Sequence, residues 1–176
     1  MDTIDELIAL FERRGIAQYG NEAVSQTDHA LQCAAHAEAE EAEAPLIAAA
    51  LLHDVGHLLA KPVREDTNDL HESIGWGFLK THFSPSVSEP VRLHVEAKRY
   101  LCAVDSDYFG ILSPASVRSL ELQGGWHSPA EALAFEKAEF SDGAVRLRKW
   151  DDRAKTPGAK TKSIVDYADL LRGLCR

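Results

Sequence analysis

The sequence predicts an all-α fold. Apolar residues recur at helical spacing through most of the chain, and no stretch alternates apolar and polar residues strongly enough to read as a half-buried strand. Breakers such as Gly15, Gly20 and Pro45 fall at the edges of the periodic segments. With 176 residues, 45% of them hydrophobic and 27% charged, the chain is long enough to bury one core. Residues 1–176 are therefore expected to form a single helical domain.

Each element has its own signal. Residues 3–14 place Ile4, Leu7, Ile8 and Phe11 on one helix face, with Asp2 or Thr3 as cap and Gly15 as stop. Residues 16–25 contain Gly20 and Asn21 and read as a loop. A second helix is expected to begin near Thr27. Pro45 opens a third, PLIAAALLHDVGHLL, apolar almost all round and so expected at the buried centre. Residues 61–69 are polar and breaker-rich, a loop. Helices are expected at about 70–82, 86–104, 128–138 and 141–152, with a less regular stretch at 105–128, a basic turn at 153–162 and a last amphipathic segment, SIVDYADLLRGL.

Charge and cysteine usage narrow the class. A formal net charge of -9 argues against a nucleic-acid partner, whose phosphates select basic surface. It leaves room for a small anion held by a few convergent cations. The acidic run Glu38, Glu40, Glu41 and Glu43 reads as a solvated surface. No apolar run is long enough to cross a membrane, and the N-terminus has no basic region followed by an apolar core. Cys33, Cys102 and Cys175 are odd in number and far apart, which suits a reducing compartment, so a cytoplasmic location is expected.

The histidines carry the chemistry. His53 and Asp54 lie in the middle of the most apolar segment, where an imidazole beside a carboxylate is costly unless a cation compensates. His29 lies upstream in DHALQ, His71 follows in LHESIGWGF, His94 in RLHVEAK, and Asp151 closes the series in RKWDDRAK. The order H…HD…H…H…D, over about residues 19–155, resembles the HD-domain superfamily of metal-dependent phosphohydrolases and their oxygenase relatives.

That resemblance implies a helical bundle with two metals in its core. Asp54 would bridge them, with His29, His53 and Asp151 completing one site and His71 and His94 the other. Asp152 is the rival for the last ligand; Asp151 is favoured because Arg148, three residues earlier, shares its helix face. His36 and His82 lie outside the pattern.

The same frame serves a hydrolase, in which metal-bound water attacks phosphorus, and a smaller branch in which two irons in a mixed-valent state activate dioxygen. QYGNEAVSQTDHALQ resembles the N-terminal region of the phosphonate-cleaving oxygenases. Tyr19 would then cover the first iron when substrate is absent, and Glu22 would meet the amino end of the substrate. His57 and Lys98 follow His53 and His94 by four residues, on shared helix faces. Lys98 and Arg148 are expected to bind the phosphonate. SPASVRSLELQGG resembles that branch's phosphonate-contacting segment, with Ser116, Ser119 and Gln123 as neutral donors.

The implied reaction is C–P bond cleavage by dioxygen in a 1-hydroxy-2-aminoethylphosphonate or its N-trimethyl analogue, giving phosphate and glycine or glycine betaine. An HD-type phosphohydrolase of a small phosphate ester or nucleotide is the alternative; an oxygenase of another diol or hydroxy acid, and a silent ligand-sensing module, also stay open. Tyr100, Tyr108, Trp76 and Trp126 are available to cage a methylated ammonium.

Overall fold

The computed structural model describes residues 2–19, 22–60 and 67–176. Gly20 and Asn21, read above as part of a loop, and residues 61–66 of the next loop lie outside the described residues. Among the described residues the secondary structure is helical, with two isolated bridges, Gln18 to Ser25 and Phe83 to Cys175.

Helix α1 (Thr3–Arg14) starts where the Asp2 side chain accepts the Asp5 N–H, and it buries Ile4, Leu7 and Phe11. Helix α2 (Gln26–Ala39) is opened by a capping box in which Ser25 and Asp28 satisfy each other's backbone N–H groups. Helix α3 (Ala44–Leu52) begins with proline in its first turn and is buried over Ala48–Leu52.

Here the structure differs from the expected continuous helix. The chain turns at His53–Asp54, and a separate short helix α4 (Val55–Leu59) follows. In the first turn of α4 a Cβ on Gly56 would lie 1.9 Å from the His71 carbonyl oxygen, so the backbones meet where only glycine fits. Leu70, in the left-handed region at φ 53°, turns the chain into helix α5 (His71–His82).

Helix α6 (Pro85–Val104) is the longest and packs against α3 and α5. The irregular stretch holds two short helices, α7 (Tyr108–Ile111) and α8 (Pro114–Leu122), and α9 (Pro129–Glu136) follows with its own Ser128–Glu131 capping box. Helix α10 (Ser141–Arg153) lies across α6 and α2 and brings Trp150 into the core. A 3-10 turn at Ile164–Tyr167 leads into α11 (Ala168–Leu174), which packs on α1 and α3. No described helix is long and apolar enough to cross a membrane.

Candidate metal centre and adjoining cavity

Four histidines converge from α2, the α3–α4 break, α5 and α6. His29 and His53 bring their Nε2 atoms to 3.2 Å, and His71 and His94 do the same on the other side. Asp54 stands between the pairs: Oδ2 is 3.3 Å from His53 Nε2, and Oδ1 is 3.3 Å from His71 Nε2 and 3.6 Å from His94 Nε2. Asp151 approaches from α10, Oδ1 lying 3.3 Å from His29 Nε2. Asp152 turns away, toward Arg148 and Tyr108. All six of these converging residues are buried.

The outward ring nitrogens fix how the inward ones behave. Nδ1 of His29, His53 and His94 lies 2.7–2.8 Å from the carbonyl oxygens of Ala154, Ala50 and Val91, which can only accept. His71 Nδ1 donates to Asp69 Oδ1 at 2.7 Å. With Nδ1 so engaged, Nε2 is the ring atom each histidine turns inward, and two Nε2 lone pairs 3.2 Å apart would repel unless a cation lay between them. Both oxygens of Asp54 and Oδ1 of Asp151 are buried without a hydrogen-bond partner among the described residues. Ligand atoms about 2.1 Å from a first-row ion stand roughly 3.0–3.4 Å apart, which matches these spacings. The donor set of imidazole and carboxylate suits iron, manganese, zinc or nickel.

Electrostatics at the cluster follow from burial and charge. Burial pushes the carboxyls of Asp54 and Asp151 up. Neighbouring histidines, and Arg148 beside Asp151, outweigh it and hold both well below the ordinary carboxylate range. Burial pushes His94 down to about 3, helped by His71.

A cavity of about 420 Å³ adjoins the cluster. Tyr19, Glu22, Lys98, Ser116, Ser119 and Gln123 line it, and His57 and Arg148 border the cluster itself. The Tyr19 ring lies flat on the His29 imidazole, centroids 3.8 Å apart. Burial, Asp151 and Asp54 push its phenol well above 10. His57 stacks on His71, and its Nε2 is 4.0 Å from Asp54 Oδ1. The helical face that His57 was expected to share with His53 is interrupted, and the turn at Asp54 brings it to the cluster by another route.

Lys98 is 2% exposed and donates to Ser119 Oγ at 2.7 Å; burial and the Arg148 charge lower its pKa to about 7. Gln123 Oε1 is buried without a partner among the described residues. Arg148 is tied to Asp151 at 2.7 Å, to both oxygens of Asp152 and to the Tyr108 hydroxyl at 3.1 Å.

The aromatic cage is not assembled. Trp76 donates to Glu89 with Lys80 over its ring, Tyr100 donates to Glu136, Trp126 is exposed beside Phe109, and Tyr108 donates to Asp152. None of the four lines the cavity.

Sequence reasoning missed three residues. Asp69 bridges His71 and His57, at 2.7 and 2.9 Å. Lys155 and Ser113 enclose Glu22: the Ser113 hydroxyl donates to its Oε1 at 2.5 Å, and Lys155 Nζ is 3.2 Å away. Asp69 was findable, two residues before a ligand candidate, whereas Lys155 lies in an aperiodic turn with no signal.

Comparison with known families matches residues 27–171 to the family described as HD domain. Over 171 residues the chain is 44% identical to a hydroxymethylphosphonate dioxygenase of Gimesia maris, covering 94% of this chain and 85% of that one. It is 36% identical over 167 residues to a glycine-betaine-forming [1-hydroxy-2-(trimethylamino)ethyl]phosphonate dioxygenase of Leisingera caerulea, covering 93% and 85%. An uncharacterized protein, L432, of Acanthamoeba polyphaga mimivirus is 30% identical over 179 residues, covering 97% and 81%.

Proposed function

This chain belongs to the HD-domain family, and we propose that it is a di-iron oxygenase that cleaves the carbon–phosphorus bond of a small 1-hydroxyphosphonate with dioxygen. The single observation that carries this reading is the phenol of Tyr19 laid on His29, at the mouth of a buried histidine–carboxylate cluster. A hydrolase needs only water at that position. The names of two relatives, both phosphonate dioxygenases, support the same chemistry.

His29, His53, Asp54 and Asp151 would hold one metal, and Asp54, His71 and His94 the other; bound iron would supply the activation of dioxygen. The chain's own residues do the rest. Asp69 and the carbonyls of Ala50, Val91 and Ala154 hold the histidine rings in one orientation. Lys98, with Ser119 and Gln123 beside it in the cavity lining, offers polar contacts to the phosphonate. Tyr19 covers the His29 side of the cluster, and His57, held by Asp69 and 4.0 Å from Asp54, would border a substrate bound there. Overall, R–CH(OH)–PO3(2−) and O2 give R–COO(−), HPO4(2−) and a proton. The C–P bond and one C–H bond break, and the carbon is oxidised as dioxygen is reduced.

The test is aerobic incubation of the iron-loaded protein with hydroxyphosphonates, following oxygen uptake and phosphate release together. Equal amounts of both support the oxygenase; phosphate release without oxygen uptake overturns it.

A further inference from the structure

Glu22 is the residue the oxygenase reading assigns to the nitrogen end of a substrate, yet its carboxylate already has a cation. Lys155 Nζ lies 3.2 Å from Glu22 Oε1, and also 3.2 Å from the hydroxyl oxygens of Ser113 and Ser116. An ammonium has three N–H donors, and here it has three acceptors. The pair is largely out of water, with the Lys155 side chain 14% and the Glu22 side chain 17% exposed. Burial pushes the Glu22 carboxyl up, but the Ser113 hydroxyl and the Lys155 charge outweigh it and keep it ionised.

We propose that Lys155 fills the ammonium subsite at Glu22, so that the preferred substrate is a one-carbon hydroxyphosphonate with no cationic nitrogen.

This rests on the oxygenase reading and names its substrate class. A substrate ammonium would have to displace Lys155 and leave that cation unpaired in a mostly buried place. No other anion on the described wall is at hand. The remaining carboxylates lining the cavity are Asp54 and Asp151, which face the histidine cluster, and Asp69, held between His57 and His71. Tyr19 is the one Phe, Tyr or Trp among the described lining residues, too few for a cage around a methylated nitrogen. The rest of the lining suits an anion: Lys98 donates to a neutral hydroxyl, and Arg118 also lines the cavity.

Calorimetric titration of the metal-loaded protein without oxygen tests this, with hydroxymethylphosphonate and 2-amino-1-hydroxyethylphosphonate as probes. The wild type should favour the one-carbon compound by roughly tenfold or more, the fold-change of one charge-assisted contact. Lys155→Met should release Glu22 and narrow that preference by about the same factor, Lys155→Arg should keep it, and Lys155→Met with Glu22→Gln should remove the gain. Equal or tighter binding of the amino compound by the wild type overturns the proposal without any variant. So does a Lys155→Met effect that persists when Glu22 is replaced. Oxygen uptake with phosphate release is scored separately. Its absence with the binding preference intact sinks the oxygenase and spares the subsite; its presence with a preference for the amino compound sinks the subsite alone.

Discussion

Arg148 and Asp151 face each other across one turn of α10, Nη1 2.7 Å from Oδ2, and this ion pair is buried. Asp152 and the Tyr108 hydroxyl take up the rest of the guanidinium. The arginine that the sequence offered as a phosphonate clamp is thus built into the support of a metal-facing carboxylate. Arg148→Ala should lower metal affinity about 10–100-fold, the usual cost of removing a group that orients a ligand. Elemental analysis after dialysis against a weak chelator checks it. Full metal retention with weakened phosphonate binding would restore Arg148 to the substrate.

Lys98 gives the opposite pattern. Its ammonium contacts Ser119 rather than the histidines or Asp151, so Lys98→Ala should keep its metal. Phosphonate binding should weaken by about 1.5–3 kcal/mol, roughly tenfold or more, read by titration calorimetry. Metal loss in Lys98→Ala would make it a support of the cluster instead.

Lys98 also carries a pH signature in stability. Burial lowers its pKa from 10.5 to about 7. The unfolded chain then binds more protons than the folded one between those values, so this group's penalty is full below about 7 and fades as pH rises toward 10.5. Lys98→Met should accordingly stabilise the metal-free protein more at pH 6 than at pH 10, measured by urea unfolding of variant and wild type in parallel. A gain independent of pH would mean that Lys98 is not desolvated as its 2% exposure implies.

The two halves of the cluster should empty separately. The iron-loaded wild type should hold two metals per chain. His29→Ala should lose mainly the metal shared with His53 and Asp151, whereas His71→Ala and His94→Ala should lose the one on the far side of Asp54. One metal or none in the wild type after anaerobic loading would end the dinuclear assignment.

Much of this was legible in the sequence because helical periodicity and the spacing of His29, His53, Asp54, His71, His94 and Asp151 are local or ordered features. The helix break at His53–Asp54 was not, since PLIAAALLHDVGHLL is apolar almost all round and has no proline at the turn. Lys155 was hidden for a similar reason: its meeting with Glu22 is set by where α10 ends, not by any repeat in the chain.

Tyr19 separates oxygenase from hydrolase. Its phenol is pushed well above 10 by burial and by Asp151 and Asp54, so without a metal it stays protonated throughout the neutral range. Only a strong Lewis acid at the cluster would make it a phenolate. The oxidised, iron-loaded protein should therefore show a visible phenolate-to-iron charge-transfer band at pH 7, and the zinc-loaded protein should not. A hydroxyphosphonate should bleach the band by displacing the ring from its place against His29, and Tyr19→Phe should lack it. The same variant should still cleave substrate but lose reduced iron faster in air, because the phenol no longer covers the cluster. Under strict exclusion of oxygen, phosphate release should stop in both proteins. Undiminished release without oxygen, with no band in the wild type, would defeat the oxygenase reading and leave Tyr19 as a packing partner of His29 in a hydrolase.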